Sequence, residues 1–130
     1  IKGLELNLDY NLNDDMDINF NLTYLETEDK GTNKELMFTP DLSASLGLSY
    51  QVLSNLGTNL SLRYIGEQYS NSQNTTKTDD YTLVDLGVNY DINKTFALYS
   101  GVNNIFDKKI EEEIGVNVGA YYFAGARINF

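Results

Sequence analysis

The chain has 130 residues, a net charge of −10, 12% aromatic residues and one proline, and it contains no Cys, His or Trp. This composition excludes disulfide and thiol chemistry, removes the commonest metal ligand and general base, and lacks the basic footprint that nucleic acid requires. No apolar run approaches the roughly 18 residues of a transmembrane helix, which is no argument against a membrane barrel, whose strands are apolar on one face only.

Seven strands are predicted from period-two alternation. The first runs about Ile1 to Leu12, with Leu4, Leu6, Leu8, Tyr10 and Leu12 on one face and Gly3, Glu5, Asn7, Asp9 and Asn11 on the other. Asn13-Asp14-Asp15 is a tight turn of the kind Asn and Asp favour. The second, about Asp17 to Glu26, sets Ile18, Phe20, Leu22 and Tyr24 against Asn19, Asn21 and Thr23. A polar loop, Thr27 to Glu35, follows. Pro40 sits just before the third strand, where a missing N–H does least harm. That strand, about Leu42 to Leu53, alternates Leu42, Ala44, Leu46, Leu48, Tyr50 and Val52 with Ser43, Ser45, Gly47, Ser49 and Gln51.

Ser54 to Gly57 is a second short turn. The fourth strand is expected from about Thr58 to Tyr69, and the loop Ser70 to Asp80 has no apolar residue. The fifth, about Tyr81 to Ile92, sets Val84, Leu86, Val88, Tyr90 and Ile92 against Asp85, Gly87, Asn89 and Asp91. Asn93-Lys94 turns it into a sixth strand, about Thr95 to Ile105. The longest connection, Phe106 to Gly119, leads to the seventh, Ala120 to Phe130, where Tyr122, Ala124, Ala126, Ile128 and Phe130 oppose Gly125, Arg127 and Asn129.

Tyr10, Tyr50, Tyr90 and Phe130 recur every 40 residues, and the positions before them match, with Leu8, Leu48, Val88 and Ile128 as one set. A propeller blade would pack four short strands into that length; here each period reads as one long hairpin plus a loop. Short turns follow the first, third and fifth strands, and long loops follow the others. Outer-membrane barrels have this asymmetry, with short periplasmic turns and longer extracellular loops. Tyr10, Tyr50, Tyr90 and Phe130 then line one interface as an aromatic girdle, with Tyr24 and Tyr64 toward the other. Strands of ~9–11 residues span a bilayer when tilted.

The polar face holds Ser, Asn, Asp and Gly with few Lys or Glu, whereas a water-exposed outer surface carries both signs of charge. The apolar face is therefore expected to meet lipid. The alternative is a small stand-alone barrel, soluble or membrane, with an apolar ligand inside. Seven strands do not close a single-chain barrel of even strand count, and open edges in hydrocarbon are costly. Strands one and seven are expected to pair with strands outside this sequence. With neither an initiator Met nor a signal peptide, the chain reads as a piece of a longer polypeptide.

Several strings, in this order, carry a resemblance: Ile1-Lys-Gly-Leu-Glu5, Thr39-Pro40 before the third strand, Arg63-Tyr-Ile-Gly-Glu-Gln-Tyr69, Tyr81-Thr-Leu-Val-Asp-Leu86, Gly101-Val-Asn-Asn-Ile-Phe-Asp-Lys108 and Gly125-Ala-Arg-Ile-Asn-Phe130. Over essentially all 130 residues the chain resembles the C-terminal part of the barrel in TonB-dependent outer-membrane receptors of Gram-negative bacteria, closest to the catecholate-siderophore and colicin-receptor branch. The resemblance implies an all-β, antiparallel transmembrane barrel fragment, residues 1–130, from a 22-stranded barrel around an N-terminal plug. It also implies uptake of ferric siderophores or a similar scarce nutrient, energised through TonB. The implied partners are the upstream strands and plug of the same receptor, outer-membrane lipid, TonB acting through the missing plug segment, and the ligand.

No catalysis, cofactor or resident metal is expected, because no His stands ready to activate a nucleophile and no Ser stands out. By parity, Arg63 and Arg127 point to the polar face. They read either as contacts to plug carboxylates or an anionic ligand, or as paired structural charges. Tyr121 is expected on the inside, as a contact to ligand or plug alongside the two arginines, and Tyr122 in the girdle. Asn103, Asn104 and Asp107 read as a structural strand end. Glu111-Glu112-Glu113 reads as a solvated acidic loop or as hard oxygen ligands for a divalent cation.

Overall fold

The computed structural model describes residues 1–110, 114–115 and 119–129. Phe130 and Glu111-Glu112-Glu113 lie outside them. Among the described residues every regular element is a strand: β1 (Lys2–Asn13), β2 (Met16–Glu26), β3 (Leu42–Leu53), β4 (Leu56–Ile65), β5 (Gln68–Tyr69), β6 (Lys77–Thr78), β7 (Tyr81–Asp91), β8 (Phe96–Asn103) and β9 (Tyr121–Ile128). Seven of them form one antiparallel sheet in the order β1-β2-β3-β4-β7-β8-β9. Within this sheet each strand lies beside the one that precedes it in the chain, except that β7 follows β4 across the separate β5–β6 ribbon; antiparallel neighbours can be joined by a tight turn or by a longer loop.

The register keeps every apolar set on one face. Leu8 opposes Phe20, Phe20 opposes Leu46, Leu46 opposes Leu62 and Leu62 opposes Val84. One residue along, Asn7, Asn21, Ser45 and Arg63 form the matching row of the other face. A slip of one residue would exchange the two faces, so the alternation itself sets the pairing.

Two of the three short turns are closed by side chains. Asn13 Oδ1 accepts the Asp15 N–H at 2.9 Å. Asn93 Oδ1 accepts the N–H groups of Thr95 and Phe96 at 2.9 and 3.0 Å. Tyr10, Tyr50 and Tyr90 stand just before these turns, at one end of the sheet, while Tyr24 and Tyr64 stand near the other.

The predicted fourth strand, Thr58 to Tyr69, is broken. It leaves the sheet after Ile65, where the Gly66 N–H caps Leu42 O at 2.8 Å. Gln68 and Tyr69 then pair with Lys77 and Thr78 in a separate two-stranded ribbon. Thr78 is 1% exposed and its hydroxyl donates to Gln68 O at 3.2 Å. The loop therefore builds structure from backbone pairing and a buried hydroxyl, not from apolar residues.

Among the described residues the sheet has no hydrophobic core beneath it. Among the described residues only Ala97 and Val102 are buried apolar side chains, while Leu6, Leu8 and Tyr10 are half exposed. The accessible surface is 9048 Å², against about 6,900 Å² for a compact monomer of this mass by surface scaling. Strands β1 and β9 do not meet, so the sheet is open, whereas the alternative small barrel requires those edges to pair.

Candidate functional site

The polar face and the long-loop end of the sheet hold the chemistry. On the polar face, Arg63 Nη2 lies 3.8 Å from Asp85 Oδ2. The other oxygen of Asp85 accepts the Asn104 N–H at 2.8 Å. One carboxylate thus ties β4, β7 and the end of β8 together. The Arg63 side chain remains 54% exposed.

Tyr121 opposes Asn103 at the start of β9. Its ring stacks on Phe123 at a centroid distance of 6.3 Å, and Phe123 meets Tyr99 at 6.5 Å. Tyr122, one residue along, opposes Val102 on the apolar face. Arg127 opposes Ala97 near the short turns and lines a hollow with Asp91, Asn93 and Lys94. Six residues separate it from Tyr121, about 20 Å along a strand. Arg63 and Tyr121 therefore belong to the long-loop end and Arg127 to the opposite end.

The strand end at Asn103-Asn104-Asp107 is held by its own hydrogen bonds. Asn104 accepts the Lys108 N–H and donates to Lys108 O, each at 2.9 Å. Asn104 and Asp107 adopt φ values of 51° and 52°, a left-handed conformation that Asn and Asp tolerate better than most residues. Asp107 Oδ1 accepts the Ala120 N–H at 2.9 Å and lies 3.1 Å from Lys109 Nζ. The Ala120 N–H, and after it Lys109, hold the Asp107 carboxyl below its ordinary value. The Asp107 carboxylate thus joins the two ends of the longest connection.

The first two long loops are joined as well. Asn74 Oδ1 accepts the Glu35 N–H at 2.8 Å and Asn74 Nδ2 donates to Glu35 O at 3.1 Å. The Phe38 N–H donates to Tyr69 O at 2.8 Å, and Lys34 Nζ donates to Gln73 O. Two features of this region escape alternation alone. One is the loop pairing. The other is the aromatic cluster, in which Tyr99 and Phe123 break the small-or-polar pattern of their face; their odd numbering beside Gly101 and Gly125 is the signal that could have placed them.

An open antiparallel meander with one apolar face, one polar face and strictly alternating short turns and long loops defines a stretch of β-barrel wall. The chain belongs to the TonB-dependent receptor family: the family described as TonB dependent receptor-like, beta-barrel matches residues 1–105. The ferrienterobactin receptor of Escherichia coli is 28% identical over 97% of this chain. The vitamin B12 transporter BtuB of Photobacterium profundum is 33% identical over 76% of it. The chain spans less than a fifth of the length of these relatives, 19% and 16% respectively. A solved structure of the ferric enterobactin receptor PfeA from Pseudomonas aeruginosa superposes with a TM-score of 0.84, at 23% identity, over 98% of this chain and 22% of that one. The copper transporter OprC gives the same TM-score at 20% identity. The seven strands match the C-terminal part of such a barrel. The named relatives are receptors and transporters, not enzymes.

Proposed function

We propose that this segment is the C-terminal part of the barrel of an outer-membrane active transporter for ferric siderophores or a similar scarce nutrient, energised through TonB. The observation that carries the proposal is the apolar face, which runs unbroken across the sheet in rows such as Leu8, Phe20, Leu46, Leu62 and Val84 with no core beneath it. In water such a face is a liability; against acyl chains it is the expected outer surface of a barrel. The polar face then lines the interior, and β1 and β9 pair with the remaining strands of a barrel of about 22 strands enclosing a plug. The long loops lie outside the cell, where ligand arrives, and the short turns lie in the periplasm.

The siderophore assignment is supported by the enterobactin and ferrioxamine receptors among the relatives. The test is radio-iron uptake by cells that lack their own siderophore receptors and carry the full-length receptor containing this segment. Uptake from ferric enterobactin that stops when TonB is removed is the expected result. Uptake that ignores TonB, or no uptake from any ferric siderophore, would refute the assignment.

A further inference from the structure

We propose that Tyr121, Phe123 and Tyr99 form a stacking platform on the interior wall that receives planar aryl groups of the transported ligand. The proposal rests on the transporter reading and gives one part of the interior wall a chemical preference.

The three rings are out of place on their face. Their surroundings are Asn, Asp, Ser and Gly, and an aromatic ring turned toward a hydrated interior forgoes burial. Yet the rings form a continuous run. Tyr121 stacks on Phe123 with an interplanar angle of 24°, and Phe123 meets Tyr99 at 46°. The run begins where the longest connection enters β9 and steps down the wall from there.

Glycines seat the rings. Phe123 opposes Gly101 and Tyr99 opposes Gly125. A Cβ at position 101 would stand 2.6 Å from Phe123 Cζ, and one at position 125 would collide with the Tyr99 phenol. Each ring therefore rests on the backbone of the neighbouring strand. Gly87 opposes Gly101 on the other side, and nothing lies within 4 Å of where its Cβ would be. The result is a row of aromatic surfaces beside an open, side-chain-free floor. Such a surface favours a planar aryl group through offset or edge-to-face contact at ring separations of about 4.5–7 Å.

The test uses the full-length receptor in detergent and two probes: ferric enterobactin, which carries aryl rings, and ferrioxamine B, which carries none. The variants are Phe123→Leu, which removes the central ring, and Gly125→Ala, which keeps all three rings but lifts Tyr99 from its seat. Heat-modifiable gel mobility measures the folded fraction, and affinities are referred to it. The expected result is an affinity for ferric enterobactin lowered about fivefold in each variant, with ferrioxamine B binding unchanged. Equal losses for both probes, or none for either, would overturn the platform. A smaller folded fraction with unchanged affinity would overturn it too, and would assign the rings to bracing β8 against β9. A parent receptor that binds only ferrioxamine B sinks the platform and leaves the transporter standing. One that binds neither probe sinks the siderophore reading itself.

Discussion

Asn74 holds Glu35 by both of its backbone groups, accepting the N–H at 2.8 Å and donating to the carbonyl at 3.1 Å, across a sequence separation of 39 residues. The amide side chain thus pairs with the other loop as a strand would, joining the first two long loops. Each hydrogen bond of this kind contributes roughly 0.5–1.5 kcal/mol. Asn74 also adopts a φ of 53°, which glycine accepts freely. Asn74→Gly therefore removes the clamp without straining the backbone. Brief trypsin treatment of the folded receptor is expected to cut after Lys34 several-fold faster in this variant, although the substitution lies in the other loop. An unchanged rate at Lys34 would show that the loops move independently.

The contact between Asp107 and Ala120 gives the third loop a pH dependence. The Ala120 N–H and Lys109 hold the folded carboxyl below its ordinary value of 3.8. A depressed folded value means that the stabilisation is complete above the unfolded value and is lost as pH falls through the folded one. Hydrogen-exchange protection at the Ala120 amide, corrected for intrinsic rates, should stay level above pH 3.8 and decline below it. Asp107→Asn should lower the protection and abolish the decline. A decline that persists in the Asn variant would point to another group.

Arg63 and Asp85 should respond unequally to substitution. Their ion pair is long, at 3.8 Å, and Arg63 is more than half exposed, so Arg63→Gln should change stability by less than about 1 kcal/mol. Asp85 also accepts the N–H of Asn104, a residue only 6% exposed. Asp85→Ala takes that acceptor away and should cost roughly 1–3 kcal/mol. Urea midpoints of the heat-modifiable band would separate the two. Equal losses would show that the ion pair, not the hydrogen bond to Asn104, carries the effect.

Alternation makes most of this sheet legible in the sequence. The third strand was expected from Leu42 to Leu53 and β3 has those bounds, because a two-residue period admits only one register when one face is apolar. The polar-face positions of Arg63 and Tyr121 follow from the same parity. The β5–β6 ribbon was not legible, since Ser70 to Asp80 has no alternation and its pairing comes from backbone groups around Thr78. Nor was the Asn74 clamp, whose partner is remote in sequence, or the Tyr99 and Phe123 cluster, which needs two strands in register to bring a ring over a glycine.

The assignment of the apolar face to lipid predicts opposite outcomes for one residue type on the two faces. Leu46 lies between Phe20 and Leu62 near the middle of the sheet, while Ser49 lies between Asp17 and Asn59 on the polar face. An arginine in place of a lipid-facing residue near the bilayer midplane costs about 2–4 kcal/mol. On the interior wall beside Asp17 it meets water and an opposite charge, and the change should stay within about 0.5 kcal/mol. Urea titration of the full-length receptor folded into lipid vesicles is therefore expected to show a large loss for Leu46→Arg and almost none for Ser49→Arg. A costly Ser49→Arg with a neutral Leu46→Arg would turn the sheet inside out, placing the apolar rows against the interior and the Asn- and Ser-rich rows outside.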